Sequence, residues 1–248
     1  MRITQCHISP SLALFKKGFM ERWGLSDYES PFQPTLFVGC YHYADDILKI
    51  NAHRGLKLIL FGGADIPNIQ RLDLRGLHLV VDSETYRLAP LLHRLSPKQF
   101  LRIPFKDYSD LKPIPLGDKI YCYQAGETEA HQKKYRRPML QEIIEHYGQD
   151  NVLLGIQGHT MQEVVKKFYE PSFINLQFNP LAGFTTAIEM AHMGRLTVSN
   201  HKAPFCLPFE TTDDVIKHID SVRTNRLTAD VSGFLHDSDD WLHTEFWL

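Results

Sequence analysis

Short apolar runs alternate along this chain with longer segments whose apolar positions recur every three or four residues. Ile3–Ile8, Thr35–Val38, Lys57–Phe61, Leu77–Val81 and Phe100–Ile103 carry the first pattern, that of buried strands. Ser11–Trp23, Ala44–His53 and Glu84–Leu95 carry the second and predict helices, with a weaker element at Ile66–Leu72. Asp45 and Asp46 stand at the start of the Ala44–His53 helix, where the helix dipole favours acidic residues. Lys106–Asp118 sets two prolines and a glycine among polar residues and predicts a linker. The alternation then restarts. Strands are expected at Lys119–Gln124, Val152–Ile156, Phe173–Leu176 and Leu196–Ser199, and helices at Glu129–Tyr147, Met161–Tyr169, Thr185–Met193 and Thr212–Val222. Such alternation predicts parallel sheets covered by helices. We therefore expect two doubly wound, Rossmann-like α/β domains, residues 1–112 and 113–248, facing each other across a cleft. Trp241, Phe246 and Trp247 crowd the tail Phe234–Leu248, grouped here with the second domain, and rings of that size predict a packing anchor.

Composition narrows the classes. With 43% hydrophobic and 23% charged residues the chain is of ordinary globular type, and a net charge of -2 provides no basic field for nucleic acid or a membrane surface. Cys6, Cys40, Cys122 and Cys206 are far apart, without a C-x-x-C pair, which fits reduced thiols better than disulfides or zinc. No apolar run approaches the length of a membrane span and no signal peptide is visible, so a cytoplasmic protein is expected.

Candidate chemistry gathers at strand ends, where ligands of such sheets bind. The run Phe173–Leu176, the loop to Gly183, and a helix opened by Thr185 or Thr186 form a strand–loop–helix unit. Its exposed N–H groups and dipole favour a phosphate. Glu189, one turn further on, is the first choice for a carboxylate that accepts sugar hydroxyls, with a solvent-facing helix residue as the alternative. Gln124 and Gly126 end one strand; Gly158 and His159 end another. Lys133, Lys134, Arg136 and Arg137 supply cations that suit either a diphosphate or a solvated face. In the first half His7, Ser9, His42 and Asp65 follow strand ends. Asp65 suits a general base and also an N-cap for Ile66–Leu72; His42 is the second catalytic candidate. No acidic pair is placed to clamp a metal, no cofactor is expected, and no G-x-G-x-x-G follows a strand, which disfavours a dinucleotide oxidoreductase.

The segment Gly183-Phe184-Thr185-Thr186, followed by Glu189-Met190-Ala191-His192-Met193-Gly194-Arg195-Leu196-Thr197-Val198, resembles the donor-site motif of GT-B-fold glycosyltransferases, nearest to family-4-type retaining enzymes. The family's earlier glutamate is absent, Leu181 and Ala182 standing in that region, and the chain is short for the family. The resemblance implies transfer of a sugar from a UDP- or GDP-sugar to a hydroxyl on a glycan, a small molecule or a modified nucleic-acid base, without a metal. It also implies a donor set of Gln124, Gly126, Lys134, Arg137, Gly158, His159, Gly183, Phe184, Thr185, Thr186 and Glu189. A nucleotide-sugar epimerase or hydrolase, and a non-catalytic nucleotide-sugar-binding protein, are the alternatives.

Overall fold

The computed structural model describes residues 1–124, 129–155, 159–179 and 184–248. The chain forms two compact units, Met1–Asp107 with Leu235–Leu248, and Tyr108–Phe234. Each is an α/β unit around one five-stranded sheet whose strand pairs are all parallel.

The first unit runs β1 (Gln5–Ile8), α1 (Ala13–Trp23), β2 (Ser26–Asp27), β3 (Thr35–Val38), α2 (Leu48–Ala52), β4 (Lys57–Leu60), β5 (Leu77–Leu79) and α3 (Ser83–Leu88). The second runs β6 (Lys119–Tyr123), α4 (Glu129–Lys134), α5 (Arg137–Tyr147), β7 (Val152–Gly155), α6 (Met161–Val164), β8 (Ser172–Leu176), α7 (Phe184–His192), β9 (Leu196–Val198), β10 (Cys206–Leu207) and α8 (Thr212–Asn225). The sheet orders are β2-β1-β3-β4-β5 and β10-β9-β8-β6-β7. Taken from the other edge, the second sheet repeats the first: within each unit the order is second, first, third, fourth, fifth. This order has a switch point between its first and third strands, where the connections leave in opposite directions and open a crevice at the carboxyl ends.

Side-chain alternation decides what covers each face of the first sheet. Cys6, Ile8, Leu36, Val38 and Leu58 turn to one face, and Phe37, Ile59, Leu77 and Leu79 to the other. Phe19 and Trp23 of α1 cover the first face together with Trp241, Leu242 and Trp247. The aromatic tail is thus a packing element of the first unit, which corrects its grouping with residues 113–248. Ile3 N–H donates to the Leu242 carbonyl and Thr244 N–H to that of Met1, so the two ends of the chain pair with each other. Trp23 and Trp241 meet edge to face at 5.3 Å, and the Trp247 indole donates to the Trp241 carbonyl. All three tryptophans therefore report on this one unit. Trp247→Ala is expected to cost about 3 kcal/mol, the low end for a buried large aromatic side chain. Urea unfolding followed by tryptophan fluorescence checks it; a loss below about 1 kcal/mol would mean that the tail is dispensable to this core.

Four expected elements are realised differently. Glu84–Leu95 breaks at Pro90 into α3 and a 3-10 turn, Pro90–Arg94. Ile66–Arg71 is a 3-10 helix. Phe100–Ile103 is irregular, although Leu101 N–H still bonds the Val81 carbonyl. Glu129–Tyr147 divides into α4 and α5. Pro138 has no N–H to give and its ring crowds the preceding turn, so the chain restarts there, with Arg136 in the left-handed region at φ 49°. The two-residue strands β2 and β10 are too short for a periodic signal.

Candidate functional site

In the first unit the switch point lies between β1 and β3. Ser9 follows β1 and its N–H donates to the Val38 carbonyl, at the end of β3. After β3 comes the turn Gly39–His42, where Gly39 takes φ 81°. The helical segment Tyr43–Ala52 then begins, π-helical to Ile47 and continuing as α2. Asp46, in its first turn, is buried and knits these segments together. Its Oδ2 accepts the Ser9 hydroxyl at 2.6 Å and the Tyr41 and His42 N–H groups at 2.8 Å each. Its Oδ1 lies 2.7 Å from Nε2 of His7. Burial alone would push this carboxyl up. The bonds from His7, Ser9 and the two backbone groups outweigh burial and hold it down to about 2.

Around this floor, Nδ1 of His7 lies 3.2 Å from the Lys49 ammonium, and at the surface Ser11 and His42 pair at 2.9 Å. Asp65 is in the same loop cluster, but it is 1% exposed. Its Oδ2 accepts Cys40 N–H at 2.7 Å, and burial raises its pKa. Asp65 stands at the N-cap position of Ile66–Arg71 without a side-chain cap bond, and it ties the loops after β3 and β4 together, a structural role beside the general-base role that its strand end suggests. A strand-end acid serves either purpose, and only its burial separates them.

In the second unit the switch point lies between β6 and β8. Gln124 follows β6 and is buried, its amide 3.6 Å from Cys122 Sγ and its N–H on the Gly155 carbonyl. Gln177 and Asn179 follow β8 and are also buried. Tyr135, on the link between α4 and α5, hydrogen-bonds Asn179 and so spans from the β6 side to the β8 side. Arg137 opens α5 and is half-buried. Burial pushes the Cys122 thiol up to about 12, against the opposing pull of Gln124 and of the nearby Arg137 charge. Arg136 lies with its guanidinium 5.2 Å from the Phe209 ring centroid.

Helix α7 carries the remaining candidates. Phe184 turns its ring onto His201 at 4.2 Å, with Phe205 and Phe234 beyond, so it anchors the helix start within an aromatic cluster. Thr185 and Thr186 are half-buried. Glu189 is 5% exposed and accepts the Tyr169 hydroxyl, which excludes the solvent-facing alternative. His159 precedes α6, its ring 5.4 Å from that of Phe168 and its Nδ1 3.9 Å from Glu163. Gly126, Gly158, Gly183 and the Lys134 side chain lie outside the described residues. Nothing in the sequence alone marks Asp46, Lys49, Tyr135, Asn179 or Tyr169 as a site residue. The first-turn position of Asp46 was visible, but its partners were not.

Among the described residues no group of three or more His, Cys, Asp or Glu side chains could hold a metal ion, and no helix is long and apolar enough to cross a membrane. No family model matches the chain. Over 110 residues the chain is 31% identical to the adenine deaminase of Candida glabrata, a match that covers 42% of this chain and 31% of the relative's length. The chain thus spans about a third of the curated relative it matches. This similarity corrects the expectation of a glycosyltransferase using a nucleotide-sugar, since the relative belongs to a different enzyme class.

Proposed function

We propose that the second unit binds a purine nucleotide in the crevice at the carboxyl ends of β6 and β8. The carrying observation is the convergence there of Gln124, Tyr135 and Asn179 from both sides of the switch point. Helix α7 follows β8 in the chain, and its first-turn N–H groups and threonines suit a phosphate. Arg137 supplies the cation. Buried amides at the strand ends suit the edge of a base, and the name of the relative, an adenine deaminase, supports adenine as that base. The four buried free thiols support a reducing compartment.

Titration calorimetry with AMP, ADP, UDP, adenine and inorganic phosphate tests this reading. The expected order places AMP and ADP ahead of UDP, with adenine and phosphate alone much weaker. Arg137→Met is expected to weaken ADP roughly tenfold or more, the loss of one charge-assisted contact. Equal binding by UDP, or ADP affinity unmoved by Arg137→Met, would overturn it.

A further inference from the structure

Lys49 is a half-buried cation whose charge no carboxylate balances. It stands in α2, one turn after Asp46, and the two side chains take opposite nitrogens of one ring. Asp46 Oδ1 lies 2.7 Å from Nε2 of His7, and the Lys49 ammonium 3.2 Å from Nδ1. An ionised carboxylate only accepts and an ammonium only donates, so Nε2 carries the ring hydrogen and Nδ1 accepts from Lys49. The ammonium also lies 5.6 Å from the centroid of the Tyr28 ring, in reach of its negative face. That ring is itself held, its hydroxyl 3.3 Å from Nδ1 of His53. Two anchored rings therefore fix the position of the cation. Asp45, one turn before Lys49, makes no ion pair with it, and Asp46 is separated from it by the imidazole. The approach is open. Strand β2 pairs with β1 only at Gln5 and Cys6, and the His7 side chain stays 11% exposed.

Holding an ammonium in one place costs the rotamer freedom of a four-carbon stem and part of its hydration. A ring nitrogen and an aromatic face recover part of that cost, but neither neutralises the charge. A bound anion does. We propose that Lys49, set in place by His7 and Tyr28, is an anion site of the first unit that takes the carboxylate of a small monoanionic acid. The site belongs to the other unit from the nucleotide crevice and does not depend on that reading. A single ammonium balances a single charge. The Asp46 carboxylate behind His7 opposes a second negative charge, which disfavours a phosphate dianion. The Tyr28 ring offers apolar surface to the body of an organic acid.

The test uses the full chain, benzoate as probe and inorganic phosphate as the dianion, at constant ionic strength. Nuclear magnetic resonance follows the His7 ring and the Lys49 side chain, which localises any binding. Benzoate is expected to shift both, with a dissociation constant of roughly 1 mM, the range of one half-exposed charge-assisted contact. Lys49→Met keeps most of the stem and removes the charge, and should weaken benzoate about tenfold or more. Lys49→Arg restores the charge and should stay within about threefold of wild type. The tryptophan fluorescence of this unit shows whether each variant is folded. Should Lys49→Met not fold, salt decides on the wild-type protein: about 1 M sodium chloride should weaken benzoate several-fold. Benzoate affinity unmoved by that salt, or unchanged in folded Lys49→Met, would overturn the site. So would the absence of shifts at His7 and Lys49 at about 20 mM benzoate, far above the expected constant. Phosphate binding more tightly than benzoate would overturn the assignment to a carboxylate.

Discussion

Arg195→Ala is expected to destabilise the second unit by about 5 kcal/mol, enough to unfold it near room temperature. Arg195 has no exposed surface. Its Nε donates to the Ser172 carbonyl at 3.1 Å, and Nη1 to Ile114 at 3.0 Å and to Met193. Nη2 donates to Pro115 at 2.9 Å and Glu170 at 3.3 Å. Every N–H of the guanidinium has a backbone acceptor, drawn from the entry to the unit, the approach to β8 and the end of α7. Burial lowers its pKa to about 10, which still leaves it charged at neutral pH. Removing the side chain leaves a cavity and several buried carbonyls without donors, at about 1–3 kcal/mol for each one unsatisfied. Lysine reaches fewer of them and lacks the planar fork, so Arg195→Lys is expected to recover less than half of the loss. Urea unfolding followed by far-UV circular dichroism checks both variants. A loss below about 1 kcal/mol in the alanine variant would show that water or rearranged backbone replaces the guanidinium.

The second large effect falls on Asp46. Asp46→Ala is expected to destabilise the first unit by about 4 kcal/mol, because the Ser9 hydroxyl, two backbone N–H groups and His7 lose a common buried acceptor. Asp46→Asn keeps the shape and one acceptor oxygen, but sets an NH2 against donors, and should cost about half as much. The charge also makes the effect pH-dependent. The folded carboxyl is held down to about 2 from the ordinary 3.8, a difference worth about 2 kcal/mol. A depressed acid stabilises the fold above its unfolded pKa and loses that contribution as pH falls through the folded value. The stability gap between wild type and Asp46→Asn is therefore expected to be flat above about pH 4 and to shrink by about 2 kcal/mol toward pH 2. Tryptophan fluorescence in urea, recorded from pH 2 to pH 7, follows this unit alone. A gap that stays constant across that range would mean that the charge of Asp46 contributes nothing and only its shape matters.

Local pattern determined much of this protein. The apolar runs and the three-to-four spacing placed the central strands and most helices, because burial of one face imposes that period whatever the neighbours are. Alternation of strands with helices determined parallel sheets, and the prolines and glycine of Lys106–Asp118 marked where the pattern restarts. The aromatic tail read correctly as a packing anchor from its rings alone. Which unit it anchors was not local information. It follows from the alternation of Cys6, Ile8, Leu36 and Val38 onto the face that α1 leaves partly uncovered, and from pairing between residues 1–3 and 242–244. Helix breaks were half-legible. Pro90 and Pro138 stood in the sequence, but periodic apolar positions continue across both, and backbone chemistry overrides periodicity there. Site assignments depended most on tertiary structure. Strand ends and helix starts single out His42, Asp65, Thr186 and Glu189 in the sequence. Such a place fixes where a residue stands along an element, and not whether its polar group meets a ligand or a buried partner. Tyr169 lies 20 positions before Glu189 and His7 39 before Asp46. No local period connects residues so far apart; the strand order brings the ends of β1 and β3 side by side for His7 and Asp46, and packing of the helical segments before and after β8 against the same sheet brings Tyr169 to Glu189.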